Sequence, residues 1–284
     1  MNVNSQPKTP LIKEWLDQAT IRLVGVGIGT AKLDAEIILA HTLRKPRTHL
    51  HAHDEDQLSS REYEIAEARL DLRLDRTPIA YIIGHKEFYG RPFKVTPATL
   101  IPRPESEDMI TLLNEIMPNT QAFLPKSGRR LVDVGTGSGI LGITAKLEHP
   151  ELDVTLLDVS RHALNIAKQN ATLLHANVHI VQSDLLSKYF LSADIILANL
   201  PYVDPSWERS PETNQEPAEA LFAEDNGLQL IKKLIGQTSD KLQANGYLLL
   251  EADPRQHEAI ITFARKYGFS KNVIRGFIVS LQKT

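Results

Sequence analysis

The chain has no cysteine. That absence excludes disulfides, thiolate-held metals and cysteine nucleophiles. Positive charge is not in excess either: 32 Lys and Arg stand against 35 Asp and Glu, for a net charge of −3 and a pI near 6.4. A protein that grips a nucleic-acid backbone is more often basic, so nucleic acid is not expected as the main partner. No charged-then-apolar leader opens the sequence and no apolar run is long enough to span a bilayer. A cytoplasmic location is the expectation, with no membrane partner. A Ser-His-Asp ordering is not evident, and the first part of the chain shows neither a phosphate loop nor a metal-ligand spacing. What remains is ordinary globular material: 284 residues, 42% hydrophobic and 24% charged, enough for two domains or one large one.

Residues 1 to about 10 are polar, include Pro7 and Pro10, and are expected to be loosely held. From Leu11 to about Arg76 the pattern is helical, with Leu33, Ile37 and His41 on one stripe and Ala40 beside them. Ser59-Ser60-Arg61-Glu62 has capping-box spacing, with Ser59 as the cap of a helix that carries Ile65, Ala66, Arg69, Leu70, Leu72 and Leu74. His49, His51 and His53 alternate among Asp54, Glu55 and Asp56, which reads as a solvated loop and not as a metal site. Thr77-Pro78 ends the helical part. Residues 79–95 then read as a β-hairpin connector with Gly90-Arg91 as its turn. Two prolines fix the backbone around Arg103, in a segment that both starts a helix over Ser106 to Met117 and can line a pocket wall.

Arg130 to Val134 is an apolar strand, Gly135-Thr136-Gly137-Ser138-Gly139 a glycine turn, and Ile140 to Leu147 the start of a helix. Strand, glycine turn and helix together bring backbone N–H groups and a helix N-terminus close to a ligand. The dinucleotide fingerprint wants its third glycine or alanine where Ile140 stands, whereas here Gly139 comes one residue early. That form, preceded by Asp133, resembles the S-adenosylmethionine turn of class I methyltransferases; a nicotinamide or flavin site, or a turn without ligand, is the alternative. Asp158 ends the next strand, where a carboxylate can accept from both hydroxyls of a ribose. Asp184 after the third strand is placed to touch an adenine amino group, and Leu185 to pack against the ring. Further strands around residues 195–198, 247–251, 273 and 278, with helices between them, predict an α/β fold whose mostly parallel sheet has an antiparallel edge.

Ile195 to Ala198 delivers Asn199-Leu200-Pro201-Tyr202 to the carboxyl end of a buried strand, where open α/β sheets bind ligands. An amide or exocyclic amine is a poor nucleophile because its lone pair is delocalised. The Asn199 side-chain oxygen and the Leu200 carbonyl can accept its two N–H bonds while Tyr202 offers a flat face and Pro201 holds the loop. Such a site works by position and polar preorganisation and not by a strong base.

An Asn-x-Pro-Tyr loop on this donor fold occurs in two families of planar-nitrogen methyltransferases, one acting on nucleic-acid bases and one on protein glutamine. The helical N-terminal part, the hairpin, Leu100 to Glu105, Asp133 to Gly139, Asn199 to Tyr202, and then Glu216-Pro217, Ala220-Leu221 and Asp225-Asn226-Gly227 together resemble the release-factor glutamine methyltransferases. The resemblance runs from about Leu33 to Glu251. It implies a class I, Rossmann-like catalytic domain with a seven-stranded sheet over residues 105–284, a helical substrate-recognition domain over 1–76 and a β-hairpin linker over 77–104. It implies S-adenosylmethionine as methyl donor, held by Asp133, Gly135 to Gly139, Asp158, Asp184, Leu185 and Asn199. The acceptor it implies is the glutamine of the Gly-Gly-Gln loop of peptide chain release factors, taken by Asn199 to Tyr202 and Arg103, with Asn199, Pro201 and Tyr202 as the catalytic group. A monomer that modulates translation termination is the expected unit. Leu200 departs from the family's usual Asn-Pro-Pro-Tyr and is common in the adenine dimethyltransferases of ribosomal RNA, while Leu185 stands where the family often has tryptophan.

Overall fold

A computed structural model describes residues 9–119 and 128–284. The chain divides into two compact units, one running to Gly84 and taking in Pro211–Gln215, the other formed by His85–Ser210 and Glu216–Thr284.

The first unit is helical: α1 (Ile12–Gly25), α2 (Ala31–Leu43), α3 (Arg47–Ala52), α4 (Ser60–Leu74) and α5 (Ile79–Ile83). Its core gathers Trp15, Leu23, Ile38, Leu39, Leu50, Ala66 and Leu70. Ser59 caps α4 as its sequence predicts: the Glu62 amide donates to Ser59 Oγ at 3.3 Å and the Ser59 amide donates to Glu62 Oε2 at 2.9 Å. The stripe read on α2 is corrected. Leu33 is 41% exposed, whereas Asp34, Ala35, Glu36, Ile38 and Leu39 are buried. Helices α1, α3, α4 and α5 all pack on α2, so burial wraps most of its circumference and a single-face reading fails. Its two acids are tolerated because they are paired, Asp34 with Arg73 at 2.7 Å and Glu36 with Arg47 and His51 at 3.7 and 3.5 Å. The histidine loop is corrected too: His49 and His51 lie on α3, and the rings of His49 and His53 stack one helical turn apart, 4.1 Å between centroids. With Asp56 they form the one grouping of possible metal ligands among the described residues, half-buried to exposed. Residues 1–8 lie outside the described residues, but Pro10 is pinned, accepting the Leu58 amide at 3.1 Å. Residues 79–83, read as extended, are helical.

The second unit opens with a hairpin, β1 (His85–Phe88) and β2 (Arg91–Lys94). Its turn is Tyr89-Gly90, one residue earlier than expected, and both residues take positive φ, at 50° and 72°. A two-residue turn with that backbone matches the twist of the flanking strands. After α6 (Glu107–Asn119) come β3 (Arg130–Val134), α7 (Ile140–Glu148), β4 (Asp153–Asp158), α8 (Arg161–Leu173), β5 (His179–Gln182), β6 (Ala193–Ala198), α9 (Gln229–Lys241), β7 (Leu242–Glu251), α10 (His257–Arg265), β8 (Phe269–Arg275) and β9 (Ile278–Lys283). They form a seven-stranded sheet in the order β5-β4-β3-β6-β7-β9-β8, parallel except that β9 runs antiparallel to both its neighbours, β7 and β8, at one edge. Alternate residues feed two cores. Val132, Val134, Ile196, Leu248 and Leu250 face α9 and α10, while Leu131, Ile195, Leu197 and Leu249 face α6, α7 and the hairpin's Phe88 and Phe93. A parallel strand buried on both faces reads as an unbroken apolar run, which is the appearance of residues 195–198. The Asn245-Gly246 turn falls inside β7, beside a register shift against β6. No helix among the described residues is long and apolar enough to cross a membrane.

Candidate functional site

The sheet grows outward from β3 in both directions, to β4 on one side and β6 on the other. At such a switch point the loops leaving neighbouring strands part and open a crevice above their carboxyl ends. In register, Val134 sits beside Ala198, so the glycine turn and the Asn199 loop leave the sheet side by side. The two loops meet at Gly135: φ is +70° there, and a Cβ would stand 2.7 Å from Leu200 Cδ2. Gly137 also takes positive φ, with open space where its Cβ would lie, so its backbone is free for a ligand to approach.

One cleft is lined by Gly135, Thr136, Gly137 and Ser138 together with Asp158, Asp184, Leu185, Asn199, Leu200, Pro201 and Arg103. Three residues expected in contact with ligand are not in this wall. Asp133 is buried and turned toward the turn itself: its Oδ2 accepts from Thr136 Oγ1 at 2.5 Å and from the Gly142 amide at 2.9 Å. Its Oδ1 has no partner. Burial pushes its carboxyl up to about 6, against the pull of those two hydrogen bonds. Asp133 thus pins the turn through that oxygen. Gly139, with φ +87°, serves helix α7, where a Cβ would meet Ile143 Cδ1 at 2.6 Å. Tyr202 stands behind the loop, its hydroxyl donating to Glu251 Oε1 at 3.1 Å.

Asp158 accepts from the Gly137 amide and from the Ser160 amide, each at 2.8 Å, one on each carboxylate oxygen. Burial raises its pKa, and these backbone donors oppose the rise. Each oxygen keeps a lone pair for a further donor, so a diol can still be held there. Asp184 is more exposed at the mouth and pairs with Lys233 on α9 at 2.7 Å. Leu185 is buried, with φ +47°. Arg103 is bound by Glu216, which also accepts the Ile101 amide at 3.0 Å. The Pro102–Pro104 segment is thus braced by Glu216.

Asn199 Nδ2 donates to Ser106 Oγ at 3.2 Å, and Ser106 Oγ donates to Glu251 Oε2 at 2.5 Å. The backbone of the loop is clamped as well. Gln256 Nε2 donates to the Tyr202 carbonyl at 2.8 Å and to the Asn226 carbonyl at 2.7 Å. A Cβ on Gly227 would fall 1.9 Å from that same Tyr202 oxygen. Ser106, Glu251 and Gln256 were not among the expected site residues. The one trace of them in the sequence is the charged residue that ends the apolar run Tyr247 to Leu250 at a strand's carboxyl end.

Comparison with known proteins finds relatives over most of the chain. Residues 14–84 match the family model described as PrmC N-terminal domain, and residues 111–264 match Methyltransferase small domain. A release factor glutamine methyltransferase of Koribacter versatilis is 35% identical over 253 residues, 86% of this chain and 88% of that protein. One of Escherichia coli is 33% identical over 282 residues, covering 93% and 98%. A Thermus thermophilus 16S rRNA N2 G1207 methyltransferase, solved in complex with AdoMet and guanosine, has a TM-score of 0.52 at 13% identity, covering 70% of this chain and 50% of that one. A methyltransferase of Pyrococcus furiosus, at TM-score 0.50 and 19% identity, covers 76% of this chain and 95% of its own. At those identities the two structures speak for the fold. The two relatives speak for more, and the chain belongs to the release factor glutamine methyltransferase family.

Proposed function

We propose that this protein moves a methyl group from S-adenosylmethionine to the side-chain amide nitrogen of the glutamine in the Gly-Gly-Gln motif of peptide chain release factors. The observation that carries the reading is the position of Asn199 to Pro201 in the wall of the same cleft as the glycine turn. With Asn199 Nδ2 committed to Ser106, its Oδ1 and the Leu200 carbonyl are the acceptors left to hold an NH₂ group. Two acceptors fix a planar amide and favour positive charge on nitrogen as the N–C bond forms. When bound, the donor would supply an electrophilic sulfonium methyl whose C–S bond breaks as the N–C bond forms, the electron pair staying on sulfur as a neutral thioether that leaves, and the acceptor nitrogen would give one proton to water. Asp158 would hold the donor's ribose hydroxyls and Gly135 to Ser138 its amino-acid end, with Leu185 and Asp184 flanking the adenine. Arg103 would meet the release factor at the cleft mouth while Glu216 anchors it.

In this reading residues 1–76 recognise the release factor, 77–104 link, and 105–284 catalyse. The protein acts in the cytoplasm as a monomer and tunes translation termination. Labelled methyl from S-adenosylmethionine is expected on a purified release factor and absent from the same factor with that glutamine changed to alanine. Leu200 favours one other reading, an amino methyltransferase of adenine or cytosine. Label in ribosomal RNA, and on neither release factor, would replace the first reading with this one.

A further inference from the structure

We infer that Glu251 and Ser106 act as positioning residues that decide which edge of the Asn199 amide faces the acceptor. The inference rests on the glutamine-methyl transfer proposed above and assigns the direction of its key amide.

Glu251 ends β7 and is 1% exposed, and Ser106, in the turn before α6, is fully buried. They are 145 residues apart in the chain and meet at 2.5 Å behind the Asn199 loop. The Glu251 carboxylate is the convergence point of the loop's supports, taking Ser106 on Oε2 and Tyr202 on Oε1. Burial raises the pKa of Glu251, while the Ser106 and Tyr202 hydroxyls and the Asn199 amide favour its charged form. A carboxylate only accepts, and a hydroxyl carries one proton. Ser106 spends that proton on Glu251, so toward Asn199 it can only accept. The edge of Asn199 facing Ser106 must then be its NH₂, and the carbonyl edge is left for the substrate. The charge on Glu251 is thus read out, both directly and through the Ser106 hydroxyl, as the direction of the Asn199 amide. An asparagine turned the other way would present N–H to the N–H of an acceptor amide.

Glu251→Gln tests this with almost no change of shape. A glutamine can donate to Ser106, which frees the serine proton for Asn199 and permits the reversed amide. The expected result is a loss of kcat on the release factor of about 100-fold, the scale of a misdirected group in a positioned reaction. The KM for the release factor and the stoichiometry of S-adenosylmethionine binding should be unchanged. Ser106→Ala leaves an acceptor-only carboxylate behind Asn199 and should lose less. The double variant should lose no more than Glu251→Gln alone, because that change already removes both routes from the carboxylate to the Asn199 amide. Retention of wild-type kcat by Glu251→Gln overturns the inference. So does a double variant whose losses multiply, or a loss that tracks donor-binding stoichiometry, which would mark a merely structural role. Failure of the wild type itself to label the release factor overturns the acceptor reading first, and this inference with it.

Discussion

Asp133 gives a prediction whose size and sign both follow from the structure. Its carboxyl is fully enclosed, takes two hydrogen bonds on one oxygen and none on the other, and is pushed up from 3.8 to about 6 chiefly by burial. One pKa unit is worth about 1.4 kcal/mol, so charging Asp133 in the folded protein costs about 3 kcal/mol relative to the unfolded chain. The folded pKa lies above the unfolded one. Between the two the native protein holds the extra proton, and stability falls as pH rises through the window from 3.8 to about 6. Asp133→Asn removes the titration. Its side-chain oxygen can accept the Thr136 and Gly142 bonds, and its NH₂ falls at the unpartnered position, a cost that does not change with pH. Urea unfolding of both proteins, followed by circular dichroism at pH 4.5 and 7.5, isolates the group by difference. The wild type should lose about 2 kcal/mol relative to Asp133→Asn between those two pH values, the part of the 3 kcal/mol that falls in that range. A difference that does not move with pH would refute the reasoning: the carboxylate would then be solvated or partnered in a way this geometry does not contain.

Two further outcomes are expected. Gly227→Ala places a methyl 1.9 Å from the Tyr202 carbonyl at a φ of +79°, so either the Gln256 clamp or the Tyr202 backbone must give way. Methyl transfer should fall by about 100-fold while donor binding, measured by calorimetry, survives, since the glycine turn and Asp158 are untouched. Ser59→Ala removes the cap of α4 and should cost about 1 kcal/mol, read as a lower urea midpoint of the helical unit with unchanged kinetics at low temperature.

What could be read from the sequence divides along a physical line. Strand β6, the glycine turn, the strand-end Asp158 and the Asn199 loop were legible because each is a local pattern: an apolar run buried on both faces, glycines where φ is positive, a carboxylate ending a strand. The cap at Ser59 was legible for the same reason, since both of its hydrogen bonds close within three residues. On α2 the local pattern misled. The burial of Asp34 is bought by Arg73, 39 positions away, and a stripe drawn from hydrophobicity alone ranks Leu33 above it. Asp133 shows the same limit: its place before the turn is visible in sequence, but the bond that its carboxylate takes from the Gly142 amide is a matter of side-chain direction.

The supports of the Asn199 loop lie at the far end of that line. Ser106, Glu251 and Gln256 reach it across 93, 49 and 54 positions, by way of Asn199 itself, the Tyr202 hydroxyl and the Tyr202 carbonyl. No periodicity links such residues. What links them is the sheet, which sets the carboxyl end of β7 beside that of β6 and so brings a glutamate under the loop. The same reasoning accounts for Leu200. Its side chain fills the space above Gly135, which has no Cβ, so the second residue of the loop is held by packing against the glycine turn. A proline there would hold the loop through its own ring. A leucine holds it through the donor turn, which ties the shape of the acceptor loop to the backbone of Gly135.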